Sequence, residues 1–310
     1  MSISQVRFSS AAVLVAILAG CGGGGSGSSG PSTGTLSLAL TDAPIDQVYE
    51  VNVQLTGVSV KPASGAALDF EFAQPIDVDL LTLQNGNVQS LLNGETVAAG
   101  AYNWIELRAN AALDGVYDSY IKETESGGMI ELRIPSGSTR FVSGFVVTAG
   151  QNNAFTLDWN VRKGLTDPVG SSGWHLTPAF RLIDMTEYGS LSGQVADPLL
   201  ADESCSSDAA GNGNTVYVFA GYDAVLDDID GQNDPLTTAA VRIDESQAGA
   251  YAYMIPFLDP GAYTVAFTCQ GLDDDPATDQ VAPDEITFSG QVNADVASAQ
   301  GTSNEATLIE

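Results

Sequence analysis

The chain is poor in the residues that many active sites depend on. Among 310 residues there are one histidine, three cysteines and ten lysines and arginines together. A Ser-His-Asp or Cys-His mechanism has only His175 to use. That residue lies between Trp174 and Leu176 on an apparent strand, where an ordinary structural place is expected. No G-x-S-x-G is present. The same scarcity excludes a zinc site built from histidine and cysteine. Beyond residue 20 there is no long apolar run and no long segment of helical period. Against few cations stand 39 acidic side chains, for a net charge of −29. Such a field disfavours nucleic acid and anionic headgroups as partners. The excess is uneven: residues 188–310 hold 21 acidic residues and one basic residue, Arg242, whereas residues 34–187 hold 18 and 8.

The beginning of the chain supplies an address. Arg7 precedes an apolar run from Ala11 to Ala19, which fits the core of a signal peptide and is too short to span a bilayer. The run ends in Leu18-Ala19-Gly20-Cys21, which resembles the lipobox of bacterial lipoprotein precursors. The resemblance implies a signal peptide over 1–20, cleavage before Cys21 and lipidation of that thiol, with the folded part in an oxidising compartment. Gly22 stands where an Asp would signal inner-membrane retention, so an outer-membrane anchor is expected, facing the periplasm or the cell surface. Residues 21–33 comprise the lipidated cysteine and a Gly/Ser-rich tether. With Cys21 taken by lipid, Cys205 and Cys269 remain and are expected to form a disulfide.

The rest of the sequence has period two. Leu36, Leu38 and Leu40 alternate with polar or small residues, as do Val51, Val53 and Leu55. Phe155, Leu157, Trp159 and Val161 alternate with Thr156, Asp158, Asn160 and Arg162. These read as half-buried antiparallel strands. A hairpin is expected around Ser126-Gly127-Gly128, and one short helix near Asn87–Leu92. The pattern predicts an all-β chain of two antiparallel, Greek-key-like β-sandwich domains, 34–187 and 188–310. A short echo joins them: Val97-x-x-Gly100-x-Tyr102 matches Leu258-x-x-Gly261-x-Tyr263.

The order GTLSLALTDAPIDQVYEVNVQLTGVSV, IDVDLLTLQNG, VAAGAYNWIELR, LRIPSGS and WHLTPAFRLI resembles an uncharacterised bacterial lipoprotein family, domain of unknown function 4382, over roughly residues 34–185. The resemblance implies an all-β envelope domain and assigns no catalytic residue. The second span, with Leu258-Asp259-Pro260-Gly261-Ala262-Tyr263-Thr264-Val265, looks like a transthyretin-like or carboxypeptidase-regulatory-like sandwich, an accessory module.

Two candidate sites follow from residue chemistry. Asp228, Asp230 and Asp234 sit in a D-x-D-G-x-x-D run, where alternating carboxylates and a glycine suit a loop around calcium. Asp273-Asp274-Asp275 is a second acidic candidate. Tyr102 and Trp104 alternate onto one strand face with Glu106 and Arg108, a pattern that suits a glycan platform. The expected role is a non-catalytic binding or structural module of the envelope, calcium-stabilised in its sharper form. The expected partners are the membrane, through the lipid, and a surface glycan or an envelope protein. The alternative is a carboxylate-dependent, carbohydrate-active hydrolase.

Overall fold

The alternation read from the sequence sorts side chains as expected. Leu36, Leu38 and Leu40 are each no more than 1% exposed and share one face of strand Thr33–Asp42. Here the computed structural model describes residues 32–42, 48–168, 170–201, 205, 213–229, 231–244, 250–276, 285–297 and 302–308. The signal peptide, Cys21 and nearly all of the tether lie outside them, as do Ala43 and Pro44 of the resemblance and Asp230. Strand Thr33–Asp42 is internal to a four-stranded sheet. It lies between Gln89–Ala98 and Asn152–Trp159, with Phe180–Asp184 at the edge beyond the latter. A nine-stranded sheet, centred on Glu50–Pro62, presents Val51, Val53 and Leu55 to the same core. Burying each such side chain contributes about 1.5–3 kcal/mol. Trp159 fills this core and donates its indole N–H to the Thr177 carbonyl at 3.2 Å.

Residues 189–308 build two further four-stranded sheets around a second core that includes Leu191, Val216, Val265, Phe267 and Cys269. Cys269 points into it and is bonded to Cys205, as expected from the cysteine count. Strands Thr215–Ala220 and Gly261–Thr268 are buried on both faces. Their second face carries Tyr217, Phe219 and Ala266 against Ile229 and Ile286.

Three expectations need adjustment. First, pairing is mostly antiparallel, but among the described residues three pairs are parallel. They are Thr33–Asp42 with Asn152–Trp159, Ile130–Arg133 with Trp174–Leu176, and Gly189–Val195 with Thr302–Glu305. Each joins strands far apart in sequence, which is what a parallel pair requires. Second, the helix expected near Asn87–Leu92 is absent. Gln89–Ala98 is a strand paired with Thr33–Asp42, and a 3-10 turn forms earlier, at Leu80–Leu83. Asp79 caps that turn by accepting from the Leu81 N–H at 3.2 Å. Third, the alternation through Ala101–Arg108 slips. Lys61 stands opposite Trp104 and Pro62 opposite Tyr102, so Asn103 is an extra residue. Pro62 has no N–H to continue the ladder, and a bulge of this kind turns the chain over.

The bulge gives meaning to the sequence echo. Tyr102 turns inward and donates its hydroxyl to the Ala98 carbonyl at 2.8 Å. Tyr263 does the same to the Asp259 carbonyl at 2.6 Å. In both sandwiches a buried tyrosine thus reaches back four residues across the turn that carries the chain from one sheet to another.

Candidate functional site at the junction of the sandwiches

The polar side of strand Asn152–Trp159 and its continuation was expected to face solvent. It is buried instead: Thr156, Asp158, Asn160 and Arg162 range from 1% to 7% exposed. Groups from the second sandwich account for this. Arg162 lies in the turn Val161–Gly164, which Asn160 caps by accepting from the Lys163 N–H at 3.0 Å. From there its Nη1 donates to the Tyr217 hydroxyl at 3.1 Å and to the Gly271 carbonyl at 2.8 Å. Tyr217 in turn donates to Asp274. Lys163 pairs with Asp234, and Arg181 donates to the Phe257 carbonyl at 2.7 Å. The cations come from the segment that holds most of them, and the acids from the segment in excess.

Burial governs the electrostatics here. It pushes the Asp274 carboxyl up to about 6, against the lowering effect of the Tyr217 hydrogen bond, Arg162 and the Ile229 N–H, while Asp228 adds to the rise. Burial also raises the Tyr217 phenol well above its ordinary range. A carboxyl raised on folding contributes stability that is complete below the unfolded value near 3.8 and is lost as pH rises through about 6. Asp274→Asn is therefore expected to remove a rise in stability that the native chain shows on acidification from pH about 7 to about 5. The check is urea melts of both proteins at several pH values. Parallel curves would contradict the expectation.

The acidic loops singled out by sequence meet cations of the first sandwich: Asp274 lies beside the Arg162 guanidinium, and Asp234 pairs with Lys163. Asp228 is fully buried and close enough to Asp274 to influence it, and Asp274 is beside Arg162. Asp234 engages Lys163. Asp230 lies outside the described residues. The loop curls around its own carboxylate: Asp227 Oδ2 accepts from the Asn233 N–H at 3.0 Å. A Cβ on Gly231 would meet that carboxylate at 2.5–2.7 Å, so a larger residue there would push the Asp227 carboxylate aside. Among the described residues no group of three or more His, Cys, Asp or Glu is placed to hold a metal. The expected calcium loop of Asp228, Asp230 and Asp234 is thus described only in part. Asp234 is drawn to a cation of the first sandwich, and Asp228 lies near Asp274.

The glycan platform of Tyr102 and Trp104 is corrected. Tyr102 is 2% exposed and stacked on Phe145 at 4.9 Å between centroids, because of the bulge at Asn103. Trp104 stays on the outer face, where the Arg140 guanidinium covers its ring at 4.3 Å and pairs with Glu106. His175 is in strand Trp174–Leu176 as expected, with Ser171 Oγ at 3.4 Å from its Nε2.

Sequence reasoning passed over Arg162 and Tyr217. The signal available was Arg162-Lys163, adjacent cations in a chain with few of them, directly after an apolar strand.

Several known proteins share features with this chain. Residues 33–178, a little under half of it, match the family model described as domain of unknown function (DUF4382). No curated protein matches the sequence. Among solved structures, the fimbrial anchor protein Mfa2 from Porphyromonas gingivalis is 10% identical with a TM-score of 0.19. That match covers 86% of this chain and 99% of Mfa2. A candidate adhesin from Bacteroides ovatus is 11% identical with a TM-score of 0.21, with 89% of each chain covered. A leucine-rich repeat protein from Bacteroides thetaiotaomicron is 12% identical with a TM-score of 0.20. It covers 89% of this chain, which spans 26% of that protein. The chain likewise spans 34% of the Bacillus anthracis TIE protein. None of these structural likenesses bears on function. The resemblance read from the sequence agrees with the match of residues 33–178 to the family model described as domain of unknown function (DUF4382).

Proposed function

We propose that the chain is a lipid-anchored protein of the bacterial envelope with a non-catalytic binding or structural role. The observation that carries this reading is Leu18-Ala19-Gly20-Cys21 at the end of a short apolar run, followed by a Gly/Ser-rich tether and an all-β body. Two or more acyl chains at Cys21, each buried methylene contributing about 0.8 kcal/mol, hold such a body on a membrane. Gly22 in place of an Asp supports the outer membrane. The lack of a catalytic role is supported by how the acids are used. The carboxylates that the fold brings together, Asp228 and Asp274, are closed off from solvent, with Asp274 beside Arg162. The hydrolase alternative has no observation in its favour.

Cys21→Ser is expected to abolish incorporation of radiolabelled palmitate and to move the chain from the membrane fraction to the soluble one. Retention of label in the variant would end the proposal. Protease shaving of intact cells then separates the two faces: cleavage places the body outside, and protection until the envelope is opened places it in the periplasm.

A further inference from the structure

Beside the Arg162 contact a groove of about 570 Å³ lies between the sandwiches. Small-molecule sites favour such junctions and run to roughly 300–1,000 Å³. Phe141 and Phe180 line it from the first sandwich, and Pro235 and Leu236 from the second. Leu236 is 41% exposed and stands at the open rim. Asp158 and Arg181 line the same groove, joined Oδ2 to Nη2 at 2.7 Å. This pair is only partly satisfied. Among the described residues, buried Asp158 Oδ1 and buried Arg181 Nε have no hydrogen-bond partner. Asp158 as a whole is 5% exposed. Leaving a buried donor or acceptor unmet costs about 1–3 kcal/mol, and the cost is larger for charged groups. A ligand that meets both recovers it.

We propose that this groove binds an uncharged saccharide, with Asp158 and Arg181 as its polar contacts. An acceptor beside a donor matches a hydroxyl, which can donate to Asp158 Oδ1 and accept from the Arg181 Nε–H. The two charges already compensate each other, so an anionic ligand gains little from them. The net charge of −29 repels an anion in any case. A cationic ligand would have to displace Arg181 from its carboxylate. Sugar rings offer both hydroxyl edges and C–H faces, and the aromatic and proline walls suit the latter. Arg181 keeps a side-chain exposure of 20%, so it has room to reorient as a ring enters. No bond is made or broken in this role.

The inference deepens the binding role proposed above and rests on it. Its test is independent of the anchor. The full chain, in a detergent without a sugar headgroup, is titrated calorimetrically with cellohexaose, xylohexaose, mannohexaose and N-acetylchitohexaose, each to about 10 mM. At least one is expected to bind. Asp158→Asn, which keeps the shape of the side chain, is expected to weaken that binding about tenfold or more. Leu236→Arg fills the groove from its rim without touching the buried pair, and should weaken binding at least as much. It carries the test if Asp158→Asn fails to fold. Silence with all four sugars, or undiminished binding by Leu236→Arg, overturns the assignment, whatever the outcome of the Cys21 experiment.

Discussion

Replacing Arg162 by Met should destabilise the chain by about 3–5 kcal/mol, the usual result of removing one partner from a buried charged contact. Methionine keeps much of the volume of the arginine stem, so the loss measures the guanidinium. The Tyr217 hydroxyl and the Gly271 carbonyl each lose a donor, and Asp274 is left buried without its cation. Because this contact ties the two cores together, a second consequence is expected. Urea unfolding followed by circular dichroism should change from one transition to two, as each sandwich melts by itself. Adding Asp274→Asn to the Arg162→Met chain should recover part of the loss, since the stranded charge is then gone. A loss below about 1 kcal/mol with a single transition would mean that the apolar contacts alone hold the sandwiches together.

Removing the disulfide is expected to have an effect of similar size. Cys205 and Cys269 are separated by 64 positions, and closing a loop of that length restricts the unfolded chain by about 4 kcal/mol in the chain-entropy model. The double variant Cys205→Ala with Cys269→Ala should lose roughly that amount, and reductant should bring the native chain to the same midpoint. Cys269 lies in the second core, so the loss should fall on the second sandwich. It should also weaken the junction, because Gly271, which accepts from Arg162, is two residues beyond the bridge. Equal melting with and without reductant would sink this expectation.

The origin of these two effects shows how far sequence and fold each carry the account. Period-two alternation was enough to identify the strands and most of their inward residues, since each apolar side chain needs a core and successive side chains point to opposite faces. Leu36, Leu38 and Leu40 behave as read, as do Val51, Val53 and Leu55. The cysteine count was enough for the bridge, because two thiols remained after Cys21. The echo around Gly100 and Gly261 was legible as a repeated turn, although the hydroxyl that closes it was not.

What the tertiary structure alone decided concerns polar faces. Alternation says that Thr156, Asp158, Asn160 and Arg162 oppose the first core; it does not say whether water or another sandwich covers them. A second sandwich covers them, and a side that reads as solvated became the junction, with its charges paired across it. The acidic loops show the same dependence on distant contacts. Runs of carboxylates favour a nearby cation, and long-range packing sets Asp274 beside Arg162 and Asp234 beside Lys163, each more than sixty residues away in the chain. Tyr102 was misplaced because one bulge opposite a proline inverts the face of every residue beyond it, and local sequence carries no record of its cross-strand partner. Composition and alternation are local properties and were readable from the chain itself; the junction depends on contacts between its distant parts, which only the folded arrangement creates.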